Sequence, residues 1–281
     1  NKIIQLKNNY NKKIILELET SFFEKLIFKS KILTRFFRLG IKSSVNYQDK
    51  QFFFSYKKKI YSYNIQSNKL RKEHEFRVGR GPMNYTIIDN IKNFENGIIF
   101  GEYFVNDSRK EVHIYKRNNK SKWEIIFTFK KGLINHIHSI IVDKYRNCLW
   151  VLAGDFDNAS SIWRIENNFN KVERVLFGNQ IYRACYGYPT KNGLIYATDM
   201  QESTNSIRLL KINNNKFESK ELYKINGPCI YGANLKDYLV FSTSTEVNYH
   251  PRNNKFLLYF GNKPGPGILE NKSDIVIYDK K

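Results

Sequence analysis

The chain has 281 residues, 15% of them aromatic, and a formal net charge of +21. Its length allows one large domain or two small ones, and no stretch approaches the roughly 20 apolar residues of a membrane-spanning helix. The positive charge favours partners rich in negative charge, namely nucleic acid, an anionic membrane surface or an acidic polysaccharide. No signal peptide is visible, but the chain begins at Asn1 rather than at a methionine, so the sequence leaves the cellular compartment open.

The first 80 residues predict an irregular opening followed by a meander. We expect strands near Lys13–Leu18 and Lys25–Lys29, although the basic, aromatic stretch Phe22–Leu39 fits a short helix as well as it fits strands. Polar turns then separate three hydrophobic runs and predict an antiparallel meander. These runs are Gln51–Ser55, Lys59–Asn64 and Leu70–Arg77.

A repeated pattern occupies the rest of the chain. Each repeat opens with polar, aromatic or histidine residues, continues with a hydrophobic strand that ends in an acid or hydroxyl cluster, and adds a third strand. The openings at His136, Ile181 and Pro228 are 45 and 47 residues apart. A period of this length with three or four short strands is typical of one β-propeller blade.

The repeats predict the fold and the domain organisation. The clearest blades cover residues 83–131, 133–178 and 181–226, and a further one runs from Pro228 to Tyr259 with its third strand at Phe256–Tyr259. A strand at Ser273–Tyr278 lies where the ring would close. We therefore expect an all-β chain that forms a single β-propeller domain over residues 1–281, with five or six blades.

Six short runs carry a resemblance to a known superfamily. They are His136–Asp143, Asn147–Val151, Gly154–Asp155, Tyr182–Ala184, Ile195–Asp199 and Asn205–Ile207. In this order they resemble the sialidase-like propellers with BNR (Asp-box) repeats, although the Asp-box pattern Ser-x-Asp-x-Gly-x-Thr-Trp is itself absent. Similar uncharacterised propellers are associated with bacterial surface-polysaccharide loci. The resemblance therefore implies a bacterial, carbohydrate-active propeller.

Two histidines stand two positions apart on one predicted strand. His136 and His138 point to the same face, because side chains alternate along a strand. Two such imidazoles can share a divalent metal ion, or one can act as a base while the other binds substrate. They can also be structural or surface histidines. A third metal ligand would come from one of His113, His250, Asp155, Asp199 and Glu102.

Arginine and tyrosine recur at the openings of other repeats. Arg80 and Arg183 can each hold a carboxylate in two parallel hydrogen bonds, or they can form salt bridges between blades. Tyr182, Tyr85 and Tyr231 can stack on a sugar or act as an acid, or they can pack between blades.

Three acids end the second strand of their repeats: Glu102, Asp155 and Asp199. Two of them could form the carboxylate pair of a glycoside hydrolase. Alternatively, each closes a turn by accepting backbone N–H groups.

Together with the positive charge and what the resemblance implies, these residues predict an enzyme that cleaves an acidic bacterial polysaccharide, as a lyase or as a glycoside hydrolase. The expected catalytic residues are His136, His138, Tyr182, Asp155 and Asp199, and the expected substrate-binding residues are Arg80, Arg183, Glu102 and Tyr231. The alternative is a non-catalytic propeller scaffold that binds a glycan or a protein. Nucleic acid is not expected as a partner, because only the charge supports it and helical reading elements are absent.

The three cysteines, Cys148, Cys185 and Cys229, lie in apolar or aromatic runs without CxxC spacing. An odd number in such surroundings predicts buried free thiols, and not a disulfide framework or a zinc knuckle.

Overall fold

The computed structural model describes residues 2–6, 12–37, 39–48, 50–214, 216–245 and 264–280. The chain divides into two compact units, Asn1–Gly81 and Pro82–Lys281. That both belong to one domain stays a prediction. Among the described residues, no helix is both long enough and apolar enough to cross a membrane.

The first unit contains a hairpin, two short helices and one four-stranded antiparallel sheet, which we call blade 1. The hairpin is β1 (Lys2–Leu6) and β2 (Lys12–Glu17), and the helices are α1 (Phe22–Phe28) and α2 (Lys31–Phe36). Blade 1 consists of β3 (Ser44–Tyr47), β4 (Gln51–Tyr56), β5 (Lys59–Asn64) and β6 (Lys69–Glu75), paired in chain order. The meander predicted from the sequence is therefore present, with β3 as an additional strand.

Helix α1 occupies the place of the strand predicted near Lys25–Lys29, so that prediction was wrong. The helix begins with a capping box: Ser21 Oγ accepts from the N–H of Glu24 at 3.2 Å, and the Glu24 carboxylate accepts from the N–H of Ser21 at 2.7 Å. Glu24 also pairs with Lys57 at 2.7 Å. Only Ile27 of the helix is buried. The Ser-x-x-Glu capping pattern therefore indicates the local structure correctly, whereas the apolar run suggested a strand.

The second unit contains four antiparallel sheets whose strands pair in chain order. Blade 2 is β7 (Thr86–Ile88), β8 (Gly97–Gly101), β9 (Val112–Arg117) and β10 (Trp123–Phe129). Blade 3 is β11 (Ile137–Asp143), β12 (Cys148–Ala153), β13 (Ser161–Glu166) and β14 (Lys171–Phe177). Blade 4 is β15 (Ala184–Thr190), β16 (Gly193–Thr198), β17 (Asn205–Asn213) and β18 (Lys216–Ile225). Blade 5 is β19 (Cys229–Asn234), β20 (Tyr238–Thr243) and β21 (Ile275–Asp279).

The prediction of an all-β propeller fold is confirmed, and the described residues supply five blades. In blade 5 the third strand is β21, which pairs with β20 from Tyr238↔Asp279 to Ser242↔Ile275. The C-terminal segment predicted to close the ring thus completes the last sheet. The third strand predicted at Phe256–Tyr259 lies outside the described residues.

Apolar layers fill the spaces between successive blades of the second unit, and strand β12 shows how. All six of its residues are buried. Leu149 and Val151 join the layer shared with blade 2, whereas Cys148, Trp150 and Leu152 join the layer shared with blade 4. Alternation of side chains therefore buries both faces of the blade 3 sheet.

The three cysteines are free and buried, as predicted. Burial raises the pKa of Cys148 and of Cys229 to about 12, and it raises the pKa of Cys185 well above the ordinary range. Only the thiolate attacks thiol reagents, and at pH 8 a thiol of pKa 12 is ionised about once in 10⁴ molecules. We expect the native protein to leave a thiol reagent unconsumed at pH 8, and the unfolded protein to consume three equivalents. One equivalent consumed at the rate of a free thiol in the native state would contradict this burial.

Candidate functional site

Three side chains of blade 3 converge, and we call them the His–Asp cluster: His136, His138 and Asp155. His136 precedes β11 and His138 lies on it, while Asp155 follows the antiparallel partner β12, so the hairpin brings them to one end of the sheet. The two Nε2 atoms are 2.9 Å apart. The Asp155 carboxylate lies 3.3 Å from each of them, through Oδ2 to His136 and through Oδ1 to His138. The two imidazoles therefore meet on the same side of the strand.

Backbone carbonyl groups fix the tautomer of both imidazoles. Nδ1 of His136 lies 2.9 Å from the carbonyl oxygen of Phe104, and Nδ1 of His138 lies 3.0 Å from that of Ala184. A carbonyl oxygen only accepts hydrogen bonds, so each Nδ1 carries the hydrogen. In the neutral imidazoles, each Nε2 then carries a lone pair, which points into the cluster.

An arginine from blade 4 joins the cluster from the adjacent sheet. Arg183 Nη2 lies 3.5 Å from Asp155 Oδ1, and its Nε lies 3.4 Å from Asp199 Oδ2. Its guanidinium carbon also lies 5.1 Å from the centre of the Phe156 ring. Arg183 and Asp199 flank the hairpin β15–β16, because Arg183 precedes β15 and Asp199 follows β16. The arginine thus forms the salt bridge between blades that the sequence left open, and its charge is shared by two aspartates.

Solvent reaches this group of side chains at Asp155. The side chains of His136, His138 and Arg183 are 7%, 2% and 7% exposed, whereas that of Asp155 is 22% exposed. Substrate or an ion would therefore approach from the Asp155 side.

Two pKa shifts describe the electrostatics of the His–Asp cluster. Burial is the main cause that lowers the pKa of His138, so this imidazole is neutral at pH 7. Burial alone would raise the pKa of Asp155, but His136, His138 and Arg183 together hold it well below its usual range. Asp155 is therefore an ionised acceptor, which is the opposite of the protonated acid that glycoside hydrolysis requires.

Tyr103 contacts the His–Asp cluster and was not among the predicted site residues. Its ring centre lies 4.4 Å from that of His136 and 6.1 Å from that of His138. It follows Glu102 at the end of the second strand of blade 2, a position that the repeat pattern had already marked for its acid. Because the end of the second strand carries a polar cluster in every repeat, this position in the sequence could have identified Tyr103 as a site residue.

Other predicted site residues lie in different surroundings. Tyr182 ends a 3-10 turn at Gln180–Tyr182 and packs against the apolar layer between blades 3 and 4. The Glu102 carboxylate accepts from the backbone N–H of His113 at 2.9 Å. Tyr231 is 65% exposed on β19. Tyr182 and Glu102 thus take the structural roles that the sequence offered as alternatives, whereas the exposed Tyr231 is not packed between blades.

Three further candidates, Arg80, His113 and His250, are not part of the His–Asp cluster as described. Arg80 belongs to the first unit, where its Nη1 donates to the carbonyl oxygen of Phe37 at 3.0 Å. His113 pairs through Nδ1 with Thr128 Oγ1 at 2.9 Å, and His250 lies outside the described residues. Of the proposed third ligands that the structure describes, Asp155 is the one that contacts both imidazoles.

The three side chains of the His–Asp cluster can hold a metal ion. Each offers one ligand atom, and these atoms lie within 4.8 Å of one another. Within the part of the chain that the structure describes, no other group of three His, Cys, Asp or Glu side chains meets this condition.

Comparisons with known proteins identify the fold and nothing finer. No family model and no curated protein matches the chain. Among solved structures, it is similar to the extracellular domain of a protein described as a one-component system from B. thetaiotaomicron, with 15% identity over 72% of this chain and 26% of that one, and a TM-score of 0.50. It is also similar to the CNH domain of AfRom2, with 8% identity over 86% and 70% of the two chains and a TM-score of 0.51. A protein from Lactobacillus plantarum has 12% identity over 72% and 63%, with a TM-score of 0.49.

The match to the B. thetaiotaomicron domain, with its TM-score of 0.50, supports a β-propeller fold. The chain spans about a quarter of the length of the B. thetaiotaomicron protein, and identities this low carry the fold without the activity. Membership of the sialidase-like superfamily stays a prediction.

Proposed function

We propose that this chain is a carbohydrate-active β-propeller that cleaves an acidic polysaccharide by elimination, with its site at the His–Asp cluster. The observation that carries the proposal is the convergence of two imidazoles, an ionised aspartate and an arginine at one place that solvent reaches. Residues scattered over two blades thereby form one polar site, as an enzyme requires. The net charge of +21 supports the choice of substrate, because it attracts a polyanion over long distances.

The contacts of the three acids favour elimination over hydrolysis. A hydrolase needs two carboxyl groups facing each other across the scissile bond, one of them protonated. Asp155 pairs with Arg183 and lies 3.3 Å from both imidazoles, Asp199 pairs with Arg183, and Glu102 accepts a backbone N–H. Each carboxylate is already occupied as an acceptor, so none of them is placed to donate a proton to a leaving sugar.

Elimination needs positive charge at the uronate carboxylate and a base at the neighbouring carbon. Neutralising the carboxylate lowers the pKa of that carbon acid, which is the main barrier. Arg183, which is 7% exposed and pairs with two aspartates, supplies only part of this charge on the Asp155 side. The sequence suggested His136 or His138 as the base and Tyr182 as the acid, but the imidazoles are almost fully buried and Tyr182 packs in an apolar layer.

We assign the base to Tyr103, which is partly exposed and lies against His136. The Tyr103 hydroxyl first loses its proton to solvent. The resulting phenolate oxygen takes the proton from the carbon beside the carboxylate, and the C–H electron pair becomes the new double bond. The bond to the leaving oxygen breaks, and the resulting phenol returns its proton to that oxygen. Charge and atoms balance, and the enzyme ends in its starting state.

Product chemistry tests the proposal. The purified protein is incubated with a panel of acidic and neutral bacterial polysaccharides, and new reducing ends and ultraviolet-absorbing unsaturated ends are measured in the same samples. We expect both signals together on a uronate-containing polymer, and neither signal on the neutral polymers.

The other outcomes contradict the proposal in distinguishable ways. Reducing ends without the absorbance would mean hydrolysis and would overturn the elimination mechanism. Saturable binding without either signal, over the whole panel, would identify a non-catalytic glycan-binding propeller instead.

A further inference from the structure

We propose that the His–Asp cluster binds one divalent transition-metal ion, coordinated by His136 Nε2, His138 Nε2 and the Asp155 carboxylate. Metal binding rests on the contacts of these side chains alone. Only the use of the metal in catalysis, described below, rests on the proposed function.

The first argument is that the centre of the cluster contains acceptors and no fixed donor. Both Nδ1 atoms hold their hydrogens toward backbone carbonyl groups, so the two Nε2 atoms face each other at 2.9 Å as lone pairs. The Asp155 carboxylate, at 3.3 Å from each, adds a third acceptor. A single shared proton can satisfy one of these three contacts, whereas one cation satisfies all of them.

The second argument is the spacing. Ligands of a tetrahedral zinc ion at about 2.1 Å lie about 3.4 Å from one another. The two distances between an imidazole nitrogen and a carboxylate oxygen, both 3.3 Å, already match this spacing. The distance between the nitrogens, 2.9 Å, needs to open by about 0.5 Å to reach it. Small rotations of the two rings suffice for that change.

The third argument is the support behind the ligands. Metal-binding histidines almost always donate their second ring N–H to a carboxylate, a carbonyl or water, which orients the ring and raises its basicity. Here the Phe104 carbonyl, in the β8–β9 loop of blade 2, supports His136, and the Ala184 carbonyl of β15 supports His138. The fold therefore holds both rings in the metal-binding orientation before any ion arrives.

The ligand types indicate the class of metal. Imidazole and carboxylate together suit zinc, iron(II), nickel or manganese better than calcium or magnesium, which prefer oxygen ligands alone. Two histidines and one carboxylate leave coordination positions open, and Asp155 marks the side that faces solvent. Arg183 opposes a cation there, but its charge is shared with Asp199. On the proposed function, a uronate carboxylate would bind the metal at an open position.

The test uses Zn²⁺ as the probe and the whole chain after treatment with a chelator. Titration calorimetry in a competing chelator should give one site per chain, and X-ray absorption of the zinc-loaded protein should show two imidazole ligands. Asp155→Asn, which keeps the side-chain volume, should weaken Zn²⁺ binding at least about 100-fold, since even supporting residues cost 10- to 100-fold. His113→Gln changes a histidine outside the cluster and should bind Zn²⁺ like the natural chain.

Wild-type protein without a stoichiometric zinc site would overturn the inference, and so would absorption data without imidazole ligands. The absorption experiment needs no variant, so it decides the question even if Asp155→Asn does not fold. Failure here is separate from failure of the proposed function. Zinc binding without cleavage would contradict the proposed enzymatic function and leave the metal site standing. Cleavage by a protein that binds no metal would contradict the metal site and leave the enzymatic function standing.

Discussion

Replacing Tyr103 by phenylalanine is expected to lower the rate of polysaccharide cleavage about 10²- to 10⁴-fold, the contribution of a positioned general base. The substitution removes the phenolic oxygen and keeps the ring, whose centre lies 4.4 Å from that of His136. Folding and zinc binding should therefore stay unchanged. The measurement is kcat on the polymer that the panel identifies, from the growth of the unsaturated-end absorbance.

Tyr182→Phe is the matched control for Tyr103→Phe. Tyr182 is the tyrosine that the sequence favoured, but its side chain packs against the apolar layer between blades 3 and 4. We expect this variant to cleave within a few-fold of the natural chain. The reverse pattern, with Tyr103→Phe active and Tyr182→Phe inactive, would refute our assignment of the base.

Arg183→Met should lower the free energy of unfolding by about 3–5 kcal/mol, which is typical when one partner of a buried ion pair is removed. The Arg183 and Asp199 side chains are only 7% and 5% exposed, and their ion-paired atoms are 3.4 Å apart. The variant leaves the carboxylates of Asp155 and Asp199 without this guanidinium in surroundings that hydrate them poorly. Urea denaturation at pH 7 measures the change.

Two further variants test whether the loss of stability comes from the buried ion pair or from removing any arginine side chain. In Arg183→Met/Asp199→Asn the second substitution removes one of the two stranded charges, so we expect part of the lost stability to return. Arg71→Met on β6 changes an exposed arginine and should cost less than about 0.5 kcal/mol. A loss in Arg183→Met no larger than that of Arg71→Met would show that the buried ion pair contributes little.

The strands could largely be predicted from the sequence, because their signals are local. Hydrophobic runs between polar turns located β5 at Lys59–Asn64 without error and β4 at Gln51–Tyr56 to within one residue. The sequence left α1 open between a short helix and strands, because its apolar residues fit both. The capping box of Ser21 and Glu24 was the local signal that could have decided between them.

The candidate site could be predicted only in part. Strand alternation predicted that His136 and His138 would share a face, because residues i and i+2 of a regular strand point to the same side. The contact of Tyr103 with His136, in contrast, joins two blades, and the salt bridge from Arg183 to Asp155 joins blade 4 to blade 3. Such contacts depend on how neighbouring sheets pack, and no sequence spacing determines that.

The measurement that tests the central claim most directly is mass spectrometry of the cleavage products, made with the natural chain and with Asp155→Asn side by side. Elimination at the His–Asp cluster predicts that the natural chain releases fragments whose new non-reducing ends are lighter by one water and absorb in the ultraviolet. It also predicts that Asp155→Asn, folded but without its cluster carboxylate, releases almost none. Fragments with intact, saturated ends, or an Asp155→Asn variant that cleaves at the natural rate, would contradict the claim.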